Sequence, residues 1–229
     1  DYDYIKRSSA LSDEKIITAF AEKDKQISGV SSIYSQGMDR HIMHIFGRVL
    51  SSPNRDITRY RAIILDTPDS MRIIADYVLP EAIRTENHAY MGRELGTFLF
   101  DKLNGNRIVY TYFTANETDN VVDSKYVLNM VDLNSGIHTQ IVHEYTPQPI
   151  TKAPTESYEN LLNNPDFSDE YKQSTRQMIQ KVKDRFKKIP YYIPLLLIKT
   201  DNNYIFAFTY ATNDAGELLV DVFDSNTAQ

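Results

Sequence analysis

The chain has 229 residues, of which 41% are hydrophobic and 24% charged, enough for a sizeable core. Its formal net charge is −6, and its lysines and arginines are spread along the chain apart from one cluster in a predicted helix. Both features argue against a nucleic-acid partner. The absence of cysteine excludes disulfides, thiolate metal sites and cysteine nucleophiles, and no apolar run reaches the roughly 18 residues that a membrane helix needs.

The aromatic content favours β-structure. The chain has 16 tyrosines and 10 phenylalanines but no tryptophan, and such residues suit pleated, half-buried surfaces. In the N-terminal region two alternatives stay open, because Lys15–Phe20 fits a short strand as well as a helix that begins near Ser12. Glycines at 29 and 37 then bracket Val30–Tyr34, which we expect to be a strand.

Two four-stranded units follow along the chain. Turns rich in Pro, Asn, Asp, Gly and Ser separate apolar runs of strand length, and the Asn104-Gly105 pair is a strong hairpin signal. The predicted strands after Val30–Tyr34 in the first unit are His41–Val49, Arg59–Asp66 and Met71–Tyr77. Those of the second unit are Thr97–Leu103, Arg107–Thr114, Lys125–Asp132 and Thr139–Tyr145.

The composition changes after Tyr145. Prolines at 147, 149 and 154 indicate a stiff linker, and apolar residues recur at helical spacing over Asp166–Lys188, with Ser168 as a cap. We therefore expect residues 151–190 to form a proline linker and a helical insertion. A third unit follows, with predicted strands Ile193–Thr200, Tyr204–Thr212 and Glu217–Asp224.

The three units share one pattern: an aromatic or β-branched run, a loop, and a second apolar run that closes on Asp66, Asp132 or Asp224. A single hairpin cannot bury its apolar face, so a repeat of hairpins is typical of radially stacked sheets. The sequence predicts an all-β fold, a partial β-propeller of about three four-stranded blades plus a leading fragment, with one inserted α-helix. Since propellers close with about four to eight blades, we expect residues 1–229 to be a single domain that is a fragment of a longer propeller.

A family resemblance rests mainly on residues 166–226. The segments Ile189-Pro-Tyr-Tyr-Ile-Pro194, Leu196-Leu-Ile-Lys-Thr-Asp-Asn-Asn203 and Val220-Asp-Val-Phe-Asp224, after a charged helix, resemble the six-bladed β-propeller family of exported bacterial proteins, often lipoproteins, with a TolB-like or NHL-like fold. The chain departs from the family pattern at Lys199-Thr200. The resemblance implies the fold and a periplasmic or cell-surface location, with a lipid anchor outside this chain, and it supplies no catalytic residues.

Metal and catalytic sites find little support in the sequence. His41 and His44 would converge on a helix, but on a strand they point to opposite faces. His88, His138 and His143 lack ligand spacing and are expected to be surface or hydrogen-bonded residues. The three closing aspartates could bind a cation, but the interpretation we favour is that each accepts backbone N–H groups of the next turn. We predict no catalytic residue, metal site or cofactor.

Two groups of residues are candidates for partner binding. Alternating aromatics such as Tyr110 and Tyr112 could line a groove, although such stripes mostly pack between sheets. Lys183, Arg185 and Lys187 form a basic run that could contact an anionic partner, although such runs are more often a solvated helix face.

Two functions remain open on the sequence alone. The first is a non-catalytic, exported binding or scaffold module that engages a protein, peptide or glycan, and not nucleic acid. The alternative is a metal-assisted hydrolase or lactonase of propeller type, with acidic strand ends around a cation. A β-sandwich adhesion domain fits less well, because of the helical insertion.

Overall fold

The computed structural model describes residues 25–35, 40–49, 58–80, 82–115 and 124–227. The predictions for Lys15–Phe20 lie outside these ranges. The chain divides into two compact units, one up to residue 81 and the other from Ala82 onward. Both are dominated by antiparallel sheets, so the all-β prediction is confirmed.

The described residues of the first unit form a sheet, which we call the first sheet, in which four strands pair in chain order. Its central strands have both faces buried, as expected from their nearly continuous apolar sequence. The strands are β1 (Lys25–Ser35), β2 (His41–Val49), β3 (Thr58–Asp66) and β4 (Met71–Val78). One of its faces packs as a cluster of Met43, Ile45, Tyr60, Ala62 and Ile64.

The second unit contains a four-stranded second sheet, a three-stranded third sheet, a small hairpin and two α-helices. The hairpin pairs β5 (Ile83–Arg84) with β6 (Ala89–Tyr90), and a short 3₁₀ helix (Arg93–Leu95) follows it. The second sheet consists of β7 (Gly96–Leu103), β8 (Arg107–Thr114), β9 (Lys125–Asp132) and β10 (His138–Glu144). The helices are α1 (Glu156–Leu162) and α2 (Asp169–Phe186), and the third sheet consists of β11 (Leu195–Asp201), β12 (Tyr204–Thr212) and β13 (Leu218–Asp224).

The predicted repeat has a structural counterpart in the strand register. In each of the three sheets the closing aspartate pairs with the first residue of the preceding strand: His41 with Asp66, Arg107 with Asp132, and Tyr204 with Asp224. Residues of the three sheets can therefore be compared by strand position, counted as the number of residues before the closing aspartate.

The second and third sheets share one hydrophobic core, to which they contribute opposite faces. On β9 the core residues Tyr126, Leu128 and Met130 stand an even number of positions before Asp132. On β13 the core residue Phe223 stands one position before Asp224. Because side chains alternate between the faces of a strand, the front of one sheet packs on the back of the next, as in a stack of repeated units.

The first strands of these two sheets lie side by side. The backbone N–H of Thr200 on β11 donates to the Asp101 carboxylate of β7 at 3.0 Å, and the Thr200 hydroxyl donates to the Lys102 carbonyl. At the third strands, by contrast, long aromatic side chains bridge the sheets, with Tyr126 and Phe223 ring centroids 6.3 Å apart. The two sheets are thus in close contact along their first strands, whereas large aromatic side chains span the space between their third strands.

Arg107 links the turns at one end of the second and third sheets. Its guanidinium donates to the Ser225 carbonyl at 3.1 Å and to the Asn203 and Asn226 side-chain oxygens at 3.0 and 3.2 Å. It also donates to the Asn104 carbonyl at 3.2 Å. A planar group with several fixed donors suits such a junction.

Helix α2 packs on a second core of this unit. Its buried residues Met178, Val182 and Phe186 join Tyr90 and Leu95, because these three positions fall on one helical stripe. Ser168 caps the helix by accepting from the Tyr171 N–H at 3.2 Å, as the sequence predicts. The helix is therefore an integral part of this core.

The strand predictions agree with the structure to within about two residues at most ends. The third sheet begins at Leu195 and not at Ile193, since Pro194 has no N–H for the ladder. Sequence analysis missed α1, which lies in the predicted linker, and the β5–β6 hairpin, whose strands have two residues each. Of the helices described, none has the length and apolar character needed to cross a membrane.

Candidate functional site

A cleft of about 370 Å³ opens between the outer parts of the second and third sheets. One wall is the end of β10 and the segment after it, and the other is β12 and β13. The lining residues are His143, Glu144, Tyr145, Thr146, Gln148, Ile193, Pro194, Thr209, Tyr210, Ala211, Thr212, Leu219 and Asp221. We call this space the inter-sheet cleft. Its mixed aromatic and polar lining is typical of a ligand site.

Asp221 is the central polar group of the inter-sheet cleft. Its Oδ2 accepts a hydrogen bond from the Tyr126 hydroxyl at 2.7 Å and lies 3.6 Å from His143 Nε2. The Asp221 side chain is 29% exposed and that of His143 39% exposed. The carboxylate is thus fixed by groups from the neighbouring sheet and remains accessible from the cleft.

Strand register explains why these three groups meet. His143 on β10 pairs with Tyr126 on β9, and their rings lie 5.3 Å apart. Both rings contact Phe223, with the His143 ring at 5.1 Å and nearly perpendicular. Asp221 stands two residues before Phe223 and shares its face of β13, so the same packing brings the carboxylate to Tyr126.

Burial raises the pKa of Tyr126 well above its ordinary value, and the hydrogen bond to Asp221 and the charge of that carboxylate add to the effect. All three causes disfavour the phenolate. The Tyr126 hydroxyl is therefore held in its protonated form, as the hydrogen-bond donor that orients Asp221.

Tyr210 supplies an aromatic wall of the inter-sheet cleft. Its ring stacks on Tyr192 with centroids 4.4 Å apart and planes 6° from parallel. Burial raises the pKa of Tyr210 to about 12, with a smaller contribution from the charge of Glu94. The stack holds a neutral, flat surface beside the cleft.

In the ranges that the structure describes, no group of three or more His, Asp or Glu side chains is placed to hold a metal ion. Asp132 accepts from the Asn134 and Ser135 N–H groups at 2.9 and 2.8 Å, and Asp224 from the Asn226 N–H at 2.9 Å. The favoured interpretation of these two closing aspartates as turn residues is confirmed.

Two of the other histidines, His44 and His88, have polar partners. His41 and His44 are on β2, so they point to opposite faces. His44 Nδ1 lies 2.7 Å from the Ser31 hydroxyl, and burial lowers the pKa of His44 to about 4 with help from the Arg61 charge. His88 Nε2 lies 2.8 Å from the Thr175 hydroxyl and connects the β5–β6 hairpin to α2.

The predicted tyrosine pair is divided between packing and exposure. Tyr110 is half-buried and its ring stacks on Phe98 at 6.1 Å, and burial raises its pKa. Tyr112 is 49% exposed and lines a second cleft of about 260 Å³ that also includes Lys125, Asn129 and Gln140. Tyr112 is thus the more exposed of the pair, and a role of either tyrosine in partner binding stays a prediction.

The predicted basic residues lie on α2. Lys183 pairs with Glu159 of α1 at 3.2 Å, and Lys187 pairs with Asp184 at 2.8 Å. Arg185 is half-buried. These contacts attach α1 and neutralise part of the run, and a role in partner binding stays a prediction.

Sequence reasoning missed Asp221 and His143 as site residues. His143 was judged only by its spacing to other histidines, a criterion that detects metal ligands on one strand and not contacts between sheets. A signal for Asp221 did exist, because the positions three before the other closing aspartates hold Ile63 and Asn129. The carboxylate of Asp221 stands where the other two sheets have an uncharged residue, and this difference in the sequence could have indicated a site.

No protein-family model matches the chain, and neither curated proteins nor solved structures give a match. The resemblance to exported six-bladed propeller proteins therefore stays a hypothesis.

Proposed function

We propose that this chain is a non-catalytic binding module of β-propeller type that takes its ligand, a peptide, protein or glycan, in the inter-sheet cleft. The observation that carries the proposal is the cleft itself, about 370 Å³ in volume, with aromatic walls and an oriented carboxylate. A volume of this size lies within the range of small-molecule and side-chain pockets.

The propeller part of the proposal rests on how the second and third sheets meet. In a sandwich of two repeated sheets the equivalent faces would point inward together, whereas here the core is built from opposite faces. Front-to-back stacking with adjacent first strands is the relation between neighbouring blades. We infer further blades, export and a lipid anchor from the sequence resemblance alone.

The alternative of a metal-assisted hydrolase gains no supporting observation. Two of its proposed carboxylates, Asp132 and Asp224, accept hydrogen bonds from their own turns.

A cleft-filling substitution tests the proposal. Ala211 lines the inter-sheet cleft, and Ala215 is exposed in the turn between β12 and β13. Ala211→Trp should abolish binding of any oligosaccharide or short peptide that shifts the NMR signals of cleft residues, whereas Ala215→Trp should leave it intact. Because the chain has no tryptophan, each variant also carries a single fluorescent reporter.

Two results would contradict the proposal. One is a panel of oligosaccharides and peptides in which no member shifts the signals of Thr209, Ala211 or Asp221. The other is equal binding to both tryptophan variants, which would place the ligand elsewhere. Circular dichroism of each variant checks that the β-structure is retained.

A further inference from the structure

The described lining of the inter-sheet cleft contains carboxylates but no lysine or arginine side chain. The carboxylates are those of Asp221 and Glu144, and His143 lines the cleft beside Asp221. The formal net charge of the whole chain is −6, so the long-range field also favours cations. Glu144 is highly exposed and pairs with Lys125 at 3.4 Å, whereas the described lining residues give Asp221 no lysine or arginine partner, only the neighbouring imidazole of His143.

The geometry of Asp221 leaves part of its acceptor capacity for a ligand. Among the described residues, Tyr126 and His143 contact this carboxylate, and both do so through Oδ2. An ionised carboxylate has about four lone-pair sites. Oδ1 can therefore accept from a donor in the cleft while the bond to Tyr126 holds the group in place.

The aromatic walls suit the same class of ligand. Tyr145 and Tyr210 both line the inter-sheet cleft, and the stack on Tyr192 fixes the Tyr210 ring. Aromatic faces attract ammonium and guanidinium groups, and partial desolvation strengthens this attraction. A carboxylate beside tyrosine rings is a cation-binding combination.

We propose that the inter-sheet cleft binds the cationic side chain of a lysine or arginine in a peptide ligand, with Asp221 as its ion-pair partner. This inference rests on the proposed function. The guanidinium or ammonium group donates to Asp221 Oδ1 and lies against Tyr145 or Tyr210. Tyr126 and His143 are positioning residues, because they act on the ligand through Asp221.

The test uses capped amino acids as probes on the whole chain. Nα-acetyl-arginine methylamide and the lysine equivalent should shift the NMR signals of Asp221 and Tyr210, with dissociation constants in the millimolar range expected for one partly exposed ion pair. The citrulline analogue is nearly the same shape as the arginine probe but has no charge. It should bind about tenfold more weakly.

Two variants locate the charge. Asp221→Asn retains an oxygen acceptor for Tyr126 and should weaken binding of the arginine probe about tenfold. Asp214→Asn removes an equal charge from an exposed turn and should change binding by less than about twofold. The citrulline comparison uses the unaltered chain, so the test does not depend on the folding of either variant.

Equal binding of the arginine and citrulline probes, or an Asp221→Asn variant that binds as tightly as the parent chain, would overturn the inference. Cleft signals that respond to neutral oligosaccharides but to neither cationic probe would also overturn it, and would leave the proposed binding function in place. If no probe or panel member shifts the cleft signals, both proposals fail.

Discussion

The hydrogen bond between Tyr126 and Asp221 gives the sharpest test of how the second and third sheets are joined. Tyr126→Phe removes the hydroxyl and keeps the buried ring, so no cavity forms. Hydrogen bonds to charged groups contribute about 1.5–3 kcal/mol to stability. Asp221 is 29% exposed, so water can replace part of the lost bond, and we expect a loss at the lower end, about 1.5 kcal/mol.

A double-mutant cycle separates this bond from other effects. Asp221→Ala alone leaves the hydroxyl of the buried Tyr126 without its acceptor, at a cost of about 1–3 kcal/mol. The double variant should be less destabilised than the sum of the two single variants, with a coupling energy of about 1–2 kcal/mol. Urea unfolding followed by circular dichroism gives these values, and amide hydrogen exchange on β9 and β13 locates them in the second unit.

Tyr204→Phe is the matched control, because Tyr204 is exposed on β12 and its variant should stay within about 0.5 kcal/mol of the parent chain. A Tyr126→Phe variant as stable as that control, or a coupling energy near zero, would refute the view that this bond ties the sheets together.

Three further predictions concern the stability of the fold at a side-chain hydrogen-bond network, a turn glycine and a partly buried histidine. Arg107→Lys loses the planar donor set that holds Asn203, Ser225 and Asn226, and urea unfolding should show a loss of about 1–3 kcal/mol, whereas Arg84→Lys at an exposed position should show almost none. Gly105 has φ of +70° and open space where a β-carbon would lie, so Gly105→Ala should cost about 1 kcal/mol of backbone strain, and an unchanged unfolding midpoint would contradict this. Burial and the charge of Arg61 lower the pKa of His44 from 6.5 to about 4. The contribution of His44 to the free energy of unfolding is therefore complete above about pH 6.5 and is lost as the pH falls towards about 4, by roughly 1–2 kcal/mol after allowance for partial exposure. His44→Gln should flatten this part of the profile of unfolding free energy against pH, and an equally steep profile would count against the prediction.

The strands could be predicted because their signals are local. The β8 and β12 bounds follow from alternating apolar residues between turns such as Asn104–Asn106, in which Gly105 and Asn106 have positive φ. Helix α2 was predictable from its buried stripe and from Ser168. Helix α1 has only seven residues, none of them fully buried, so it has no periodic signal to detect.

The candidate site was not predictable in the same way, because it depends on contacts between distant segments. Tyr126, His143 and Asp221 come from three strands, and the bond from Tyr126 to Asp221 joins residues 95 positions apart. No local pattern specifies which sheet lies against which. Tyr210 belongs to the alternating aromatics of β12, but such a pattern alone cannot separate a cleft wall from a packing contact.

Comparison of equivalent positions in the three sheets separates the scaffold from the site. Six residues before the closing aspartate, the first two sheets hold tyrosines that donate to aspartates, Tyr60 to Asp76 and Tyr126 to Asp221, while the third sheet holds Leu218. Three residues before it, only the third sheet carries a charge, at Asp221. A residue that recurs in two sheets is explained by packing that both sheets need, whereas a carboxylate that appears once, accessible from a cleft and fixed by a neighbouring sheet, is not required by the repeat. The departure from the repeat is therefore the physical reason to place the ligand at Asp221.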